Sequence, residues 1–234
     1  MNKYKWAIAI LFLIIVAFLG YTFFSWPKDL EVTPLTTETT VSAQVIYHRT
    51  QNLNIGFGKT SDCTTNPFMD FCVNGPLVQT DGTPVGGYID NGTIIKDWVS
   101  TESGGGNFAV DNAIFGLGMN GTLYMIPLSE KQQLPPMKWA FQNGPMLVQD
   151  GVNTRGISQS KNPRSGIGYK KDGTLVAIIS LTPVTFHEFA DLFIKENCLN
   201  AIYLDGGPYV GYSDKTGSYG TLVSEATKLQ FFNN

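Results

Sequence analysis

The chain is poor in charged residues, cysteine and histidine. Asp, Glu, Lys and Arg make up 15% of its 234 residues, whereas globular proteins average about a quarter. Three cysteines are too few for a disulfide scaffold, and two histidines exclude a histidine-rich metal site. The net charge of -3 argues against a duplex nucleic-acid binder, because such a protein needs cations to neutralise phosphates. We therefore predict no nucleic-acid partner; the sequence names no metal and no cofactor, and whether a metal is bound stays open.

Glycine and aromatic residues are plentiful by contrast. The chain has 25 glycines, and aromatic residues make up 12% of it. This composition is typical of a turn-rich, strand-rich globule and excludes a disordered chain or a coiled coil. About 200 residues remain after an apolar N-terminal run, which suits one domain. We predict an α+β fold: a strand-rich single domain with hairpins and one β-α-β crossover, after an N-terminal transmembrane helix.

An uncharged run of 21 residues extends from Trp6 to Trp26. As a helix it would span about 31 Å, the thickness of one hydrocarbon core. Lys3 and Lys5 precede the run, and the cytoplasmic flanks of membrane helices carry such charges. A cleaved signal peptide is the alternative, but it requires a shorter apolar region and a small-residue cleavage site, which this run lacks. We predict that residues 1–26 form a single-pass membrane anchor and that the bulk of the chain is extracytoplasmic, either periplasmic or extracellular.

Residues 27–43 separate this run from the globular part of the chain. They contain Pro27, Pro34 and a threonine-rich stretch at 36–40, and they offer little to bury. We predict a flexible linker over 27–43 and a folded domain over 44–234.

Short strands and tight turns follow the linker. Gln44–Tyr47 and Leu53–Phe57 are predicted strands around a polar turn. Asn-Gly or Asp-Gly pairs separate later apolar runs, and they begin at Asn91, Asn120 and Asp172. Such pairs favour tight hairpin turns, in which both central positions have positive φ. The first two also match the N-glycosylation acceptor, but the flanking strand patterns favour turns.

The three cysteines allow one disulfide. Cys63 and Cys72 flank a loop, and an oxidising compartment would permit them to pair, but the sequence leaves this pairing open. Cys198 is then the odd thiol, which we expect to be buried at the end of a helix.

One helix is marked by its N-terminus and by its periodicity. Thr185 and Glu188 form a capping box, and apolar residues then recur at helical spacing. The strand Leu175–Ser180 precedes the helix and the strand Ala201–Leu204 follows it, so the two strands should be parallel. The second strand runs into a turn that begins at Asp205, and ligands gather at the carboxyl ends of strands in open α/β sheets.

Four segments combine glycine turns with asparagine, arginine and aspartate. They are Phe71–Pro76 with Pro84–Gly92, Gly104–Phe108 with the hairpin up to Tyr124, Gln142–Leu147 with Asn162–Gly168, and Phe186–Asp205 with the two glycines that follow. In this order and spacing they resemble the phosphodiester glycosidase family, and small bacterial members of it most of all. The likeness covers roughly residues 44–232.

The resemblance implies a hydrolase of the phosphodiester glycosidase type. Its substrate would be a glycosyl phosphodiester, that is a sugar-1-phosphate diester, in glycan or envelope material. The animal member of the family removes N-acetylglucosamine from a sugar phosphodiester on lysosomal proteins. The implied partners of this chain are a glycan or sugar-phosphate substrate and, through the N-terminal helix, the membrane.

Two of these positions are also favoured by the chemistry. A sugar-1-phosphodiester is an anion attached to an acetal carbon, and arginine offers the best planar donor fork for phosphate. Arg164 lies between Pro163 and a glycine-rich strand, a rigid place for such a fork; the alternative is a surface salt bridge. Cleavage needs a carboxyl group as acid, base or nucleophile, and Asp205 is the best-placed candidate; the alternative is a turn-capping aspartate. Asp70 and Asp90 are weaker carboxylate candidates.

Substrate binding is assigned to amide side chains, one hydroxyl and glycine N–H groups. Asparagines beside glycines would orient sugar hydroxyls, although turn formation explains them nearly as well, and glycine turns let backbone donors approach a ligand. The candidates are Asn74, Gly75, Asn107, Asn143, Gly144, Ser165, Gly206 and Gly207. Aromatic residues that would stack on sugar faces, with core packing as the alternative, are Trp98, Trp139, Tyr209 and Tyr212.

A non-catalytic glycan- or phosphoglycan-binding ectodomain of the same fold is the alternative function. Pro76 and Pro208 favour it, because they stand where the family usually has other residues after the corresponding turns. Pro76 also removes one possible N–H donor for phosphate. Arg164 and Asp205 favour the hydrolase.

Overall fold

The strands of this protein form three sheets in which every described pairing is antiparallel. The structure is a computed structural model, and it describes residues 30–36, 42–48, 54–58, 63, 69–79, 83–100, 111–157, 159–207, 210–214, 217–220 and 228–232. The strands are numbered in chain order. Their predominance agrees with the glycine-rich and aromatic-rich composition.

The largest sheet has seven strands. From one edge to the other they are β1 (Leu30–Thr36), β2 (Ser42–His48), β13 (Leu175–Val184), β12 (Asn162–Lys170), β14 (Cys198–Leu204), β10 (Met146–Gln149) and β11 (Val152–Asn153). Alternate side chains of β13 enter two different core clusters on the two faces of this sheet. Successive side chains of a strand point to opposite faces of its sheet, so a strand that is covered on both faces must be apolar at consecutive positions. β13 meets this requirement from Leu175 to Ile179.

Two five-stranded sheets complete the fold. One contains, in spatial order, β16 (Gly217–Gly220), β15 (Gly211–Asp214), β4 (Met69–Asn74), β17 (Lys228–Phe232) and β3 (Asn54–Gly58). The other contains β6 (Thr93–Lys96), β5 (Tyr88–Asp90), β9 (Met137–Asn143), β7 (Ala113–Gly118) and β8 (Leu123–Pro127), and a 3-10 helix at Leu128–Gln133 follows β8. All three sheets contribute to one core, which includes Phe71, Phe115, Phe141, Ile167 and Leu204.

The predicted helix is confirmed as α1 (Phe186–Lys195). Its capping box is complete: the Thr185 side chain accepts from the Glu188 N–H at 3.1 Å, and the Glu188 carboxylate accepts from the Thr185 N–H at 2.8 Å. The helix packs on the seven-stranded sheet over Gly166 and Gly168. A Cβ at either position would lie within 3.1 Å of the ring of Phe193, so the absence of side chains on β12 lets the helix approach closely.

The crossover through α1 joins two parallel strands, as predicted. β12 pairs antiparallel with both β13 and β14, so β13 and β14 run in the same direction. They are not adjacent, because β12 lies between them. Local sequence could not predict this insertion, since it depends on a strand that precedes the crossover in the chain.

Three predicted hairpin turns are confirmed, between β5 and β6, β7 and β8, and β12 and β13. Only one of them has positive φ at both predicted positions, with 45° at Asn91 and 79° at Gly92. In the other two turns only the glycines, Gly121 and Gly173, have positive φ. These two loops are longer, and a left-handed residue at their end is the usual solution for a three-residue hairpin loop.

One N-terminal prediction, the linker, needs a correction. Within the predicted flexible linker over 27–43, β1 pairs antiparallel with β2. β1 is an edge strand, and edge strands are where sheets tolerate a proline such as Pro34, because proline has no N–H to donate to the ladder. The predicted strands at 44–47 and 53–57 exist, but β2 pairs with β13 and β3 pairs with β17, so they belong to different sheets. The anchor predicted over 1–26 lies outside the described residues; within the described part, no helix is long and apolar enough to cross a bilayer.

The cysteine pairing left open by the sequence is settled in the structure. Cys63 and Cys72 form a disulfide, and Cys198 is a buried free thiol. Cys198 begins β14 after the helix has ended. Burial raises the pKa of its thiol to about 12.

Candidate functional site

Three strands end and one strand begins where the predicted site residues gather. β4 ends at Asn74, β9 at Asn143 and β14 at Leu204, while β12 begins at Asn162. These strands come from all three sheets. The predicted site residues on these strand ends or directly after them are Asn74, Gly75, Asn143, Gly144, Arg164, Ser165, Asp205, Gly206 and Gly207. Asn107 lies outside the described residues.

The two asparagine side chains bind the backbone of neighbouring strand ends. Asn143 Nδ2 donates to the Tyr203 carbonyl at 2.6 Å, and Asn143 Oδ1 accepts from the Leu77 N–H at 3.2 Å. Asn74 Oδ1 accepts from the Gly211 N–H at 2.8 Å. Both side chains are fully buried, so these contacts fix the strand ends relative to one another. Their contact with a sugar stays a prediction.

Asp205 is half-buried at the first position after β14. Its Oδ1 accepts from the Gly206 N–H at 2.9 Å, and its own N–H donates to the Gly75 carbonyl at 2.9 Å. Gly207 has a φ of 71°, a conformation that favours glycine. The carboxylate therefore caps its own turn, as the structural alternative requires, and it keeps the partial exposure that a reacting group requires.

Arg164 is buried, with 3% of its surface exposed, so the surface salt bridge considered above is wrong. Its Nε donates to the Val184 carbonyl at 2.9 Å and its Nη2 to the Ser160 carbonyl at 3.2 Å. Its Cζ lies 3.5 Å from the centroid of the Phe186 ring, which gives a cation–π contact. Burial lowers the pKa of Arg164. No carboxylate among the described residues lies within ion-pair distance of this guanidinium.

Tyr203 is a residue of this site that sequence reasoning missed. Its ring meets Phe186 edge to face with 5.0 Å between centroids, and the Arg164 guanidinium carbon lies 5.9 Å from the centroid of the Tyr203 ring. A Cβ at Gly206 would overlap the Tyr203 hydroxyl. Burial raises the pKa of Tyr203 to about 12, and the nearby Asp205 carboxylate also raises it. The sequence offered one signal for this residue. Tyr203 lies in an apolar strand that was expected to be buried, and a buried phenol needs a polar partner.

Ser165 follows Arg164 on β12 and therefore points to the opposite face of the sheet. It is fully buried, and no described residue lies within hydrogen-bond distance of its hydroxyl. Buried hydroxyls normally have a partner. Ser165 thus stays a predicted ligand-binding residue.

The weaker carboxylate candidates do not join this group in the described part of the structure. Asp90 is exposed in a hairpin turn. Ile89 pairs with Ala140, so Asp90 lies towards the end of β9 that is distant from Asn143. The side chain of Asp70 is outside the described part. Among the residues described, no group of three or more His, Cys, Asp or Glu could hold a metal ion.

A cleft of about 560 Å³ opens beside the turn at residues 143–146, a volume typical of small-molecule sites. Trp98 and Met146 line it, but Asp205 does not. Met146 pairs with Ile202 on β14, and three residues of strand, about 10 Å, separate Ile202 from Asp205. The cleft and the Asp205 turn are therefore distinct but near each other.

The other aromatic candidates divide between core and undescribed positions. Trp139 is 4% exposed and packs edge to face on Phe115, so core packing explains it. Tyr209 and the side chain of Tyr212 lie outside the described part.

Comparison with known proteins gives a family match that spans the site. The sequence model of the phosphodiester glycosidase family matches residues 69–215. The uncharacterized protein YigE of Escherichia coli (strain K12) is 29% identical over 151 residues, which are 62% of this chain and 59% of that protein. The SPbeta prophage-derived uncharacterized protein YomE of Bacillus subtilis (strain 168) is 42% identical over 80 residues, 29% of this chain and 12% of that protein. The chain thus spans less than two thirds of the length of either relative.

Solved structures share the fold. The catalytic domain of zebrafish N-acetylglucosamine-1-phosphodiester alpha-N-acetylglucosaminidase, auto-inhibited by its pro-peptide, superposes with a TM-score of 0.65 at 19% identity, over 90% of this chain and 85% of that chain. A hypothetical protein from Synechocystis superposes with a TM-score of 0.54 at 12% identity, over 88% of this chain and 62% of that chain. At these identities the likeness concerns the fold alone, and it confirms a strand-rich single domain.

Proposed function

The chain belongs to the phosphodiester glycosidase family, and from that premise we propose that it is a membrane-tethered, extracytoplasmic hydrolase of a glycosyl phosphodiester. Its substrate is a sugar-1-phosphate diester in glycan or envelope material. The bond between sugar C1 and the phosphate oxygen breaks, water adds to C1, and the products are free sugar and a phosphomonoester. The proposal is carried by the family match over residues 69–215, which includes the Asp205 turn and the strand ends around it.

Asp205 is the proposed reacting carboxyl group. Acetal cleavage requires an acid, a base or a nucleophile beside C1, and Asp205 is half-buried on a turn whose backbone is fixed by Gly75 and Gly206. An oriented carboxylate is more useful than a mobile one, because the reacting atoms must be held at short range.

The buried charge of Arg164 supports an anionic substrate. Its two described hydrogen bonds go to neutral carbonyl groups, and it has no carboxylate partner among the described residues. The positive charge is therefore not neutralised locally, and low-dielectric surroundings extend its field. We propose that this field favours the phosphodiester, while the direct phosphate fork stays a prediction. The nearby cleft would hold the rest of the glycan, with Trp98 as a stacking surface.

The test is turnover of a panel of sugar-1-phosphate diesters by the full-length protein in detergent, with free sugar as the readout. Asp205→Asn keeps the side-chain shape and can still accept from the Gly206 N–H. We expect turnover to fall about a hundredfold or more while substrate binding survives. Asp172→Asn is the matched control, because Asp172 also precedes a glycine in a turn, and its Oδ1 accepts from the Thr174 N–H at 2.9 Å.

Full turnover by Asp205→Asn would remove this residue from the mechanism. Wild-type protein that binds these diesters without cleaving any of them would favour the alternative, a glycan-binding ectodomain. One specific observation supports that alternative: Pro76 is buried directly after the Asn74-Gly75 turn, where it offers no N–H.

Membrane tethering is part of the proposal and rests on the sequence. The uncharged run from Trp6 to Trp26 and the lysines before it support a single-pass anchor with the domain outside the cytoplasm. The Cys63–Cys72 disulfide is consistent with an oxidising compartment.

A further inference from the structure

Tyr203 connects the buried arginine to the proposed reacting group. On one side the Arg164 guanidinium carbon lies 5.9 Å from the centroid of the Tyr203 ring. On the other side the backbone of Gly206 packs so tightly against the Tyr203 hydroxyl that a Cβ would overlap it. The Gly206 N–H in turn donates to Asp205 Oδ1 at 2.9 Å. Three consecutive contacts thus lead from Arg164 to the Asp205 carboxylate.

We infer that Tyr203 is a positioning residue for Asp205: its hydroxyl packs against the Gly206 backbone, whose N–H orients the Asp205 carboxylate. The inference rests on the proposed function for its catalytic consequence. We assign Tyr203 no reacting role, because its side chain is buried and burial raises the pKa of its hydroxyl to about 12. A carboxylate misplaced by even about 1 Å loses much of its effectiveness, because the reaction needs short, aligned contacts.

The hydroxyl has a function here beyond the packing of the ring. Tyr203 is 5% exposed, and phenylalanine would fill the same volume without a polar atom to satisfy. Burial of a hydroxyl is unfavourable without a polar neighbour, and the nearest charged group is the Arg164 guanidinium, whose carbon lies 5.9 Å from the centroid of the Tyr203 ring. This guanidinium is itself bound to the Val184 carbonyl and lies over the Phe186 ring.

Position 206 must be glycine because the Tyr203 hydroxyl lies directly against its Cα. A side chain at this position would meet both the Tyr203 hydroxyl and the Pro163 carbonyl, the latter at 3.2 Å. Neither group can move freely, because the Tyr203 side chain is buried and Pro163 belongs to β12. Gly206→Ala should therefore displace the Asp205 turn even though alanine adds only one methyl group.

The experiment compares Tyr203→Phe with Tyr169→Phe in the full-length protein. Tyr169 is the matched control: it lies on β12 in the same sheet, and its hydroxyl accepts from Asn200 Nδ2 at 3.2 Å, away from the Asp205 turn. Two quantities are measured, hydrogen exchange of the Gly206 amide and the split between kcat and KM on a diester that the wild-type protein cleaves. Gly206→Ala serves as a second variant.

We expect the Gly206 amide to exchange at least about tenfold faster in Tyr203→Phe, and not in Tyr169→Phe. We also expect kcat to fall about ten- to a hundredfold in Tyr203→Phe while KM changes little. Unchanged exchange at Gly206 would overturn the inference, and so would faster exchange with wild-type kcat. If the wild-type protein cleaves no diester, the proposed function fails and the exchange measurement alone decides whether Tyr203 supports the turn. If Tyr203→Phe does not fold, Gly206→Ala must show the same loss of kcat for the inference to stand.

Discussion

Replacement of Arg164 by methionine tests whether its buried charge stabilises the fold. Methionine keeps an unbranched stem but removes both described donors and the cation over Phe186. Val184 is buried, so the loss of a donor to its carbonyl should remove about 1–3 kcal/mol. Ser160 is exposed, and water can replace the second donor there. The cation–π contact adds about 0.5–2 kcal/mol, and relief of the buried charge offsets part of the sum.

The expected net loss is about 2–3 kcal/mol of unfolding free energy, or about 5–10 °C in Tm for a domain of this size. Urea unfolding and a thermal melt of the same samples measure it. Lys161→Met is the matched control, because Lys161 forms an exposed ion pair with Glu188 at 2.9 Å, and exposed pairs contribute about 0–1 kcal/mol. An Arg164→Met protein as stable as this control would refute the claim that the buried guanidinium stabilises the fold.

Three further predictions concern other parts of the chain. The Cys198 thiol, whose pKa burial raises to about 12, should not react with a thiol reagent in the native protein, and one thiol should appear on unfolding without reductant; two or more would contradict the Cys63–Cys72 pairing. The Glu188 carboxylate accepts a hydrogen bond from the Thr185 backbone N–H and another from Lys161, and these two bonds, the first more than the second, lower the pKa of Glu188. A carboxyl group whose pKa is lowered by folding stabilises the protein above its ordinary pKa. This stability is lost as the pH falls through the lowered pKa. The extra stability of wild type over Glu188→Gln should therefore shrink between about pH 7 and about pH 3, and a constant difference would contradict it. Full-length protein should stay with membranes after a high-salt wash, and recovery of a soluble product that begins after residue 20 would contradict the proposed anchor.

Features that depend on neighbouring residues were predictable from the sequence. Thr185 and Glu188 contact each other within one helical turn, so their spacing predicted both the capping box and the start of α1. The Asn91-Gly92 turn was predictable for the same reason. The parallel direction of β13 and β14 followed from the single helix between them.

Features that depend on distant partners were not predictable. β1 resembles a linker by composition, and it becomes a strand only because β2 is beside it. Arg164 lies between Pro163 and a glycine-rich strand, which suggested an exposed position, yet Phe186 and Tyr203 from two other elements cover it. The sequence could therefore identify Arg164 as a candidate without showing which groups it contacts.

The position of β17 affects when the protein can become active during its synthesis. β17 lies between β3 and β4, although it follows both by most of the chain. β4 leads directly to Gly75, whose carbonyl accepts from the Asp205 N–H. A growing chain that has emerged through β16 already contains every predicted site residue, but it lacks the strand that completes the sheet behind them. We expect such a nascent chain to lack the proposed hydrolase activity until β17 has joined the sheet.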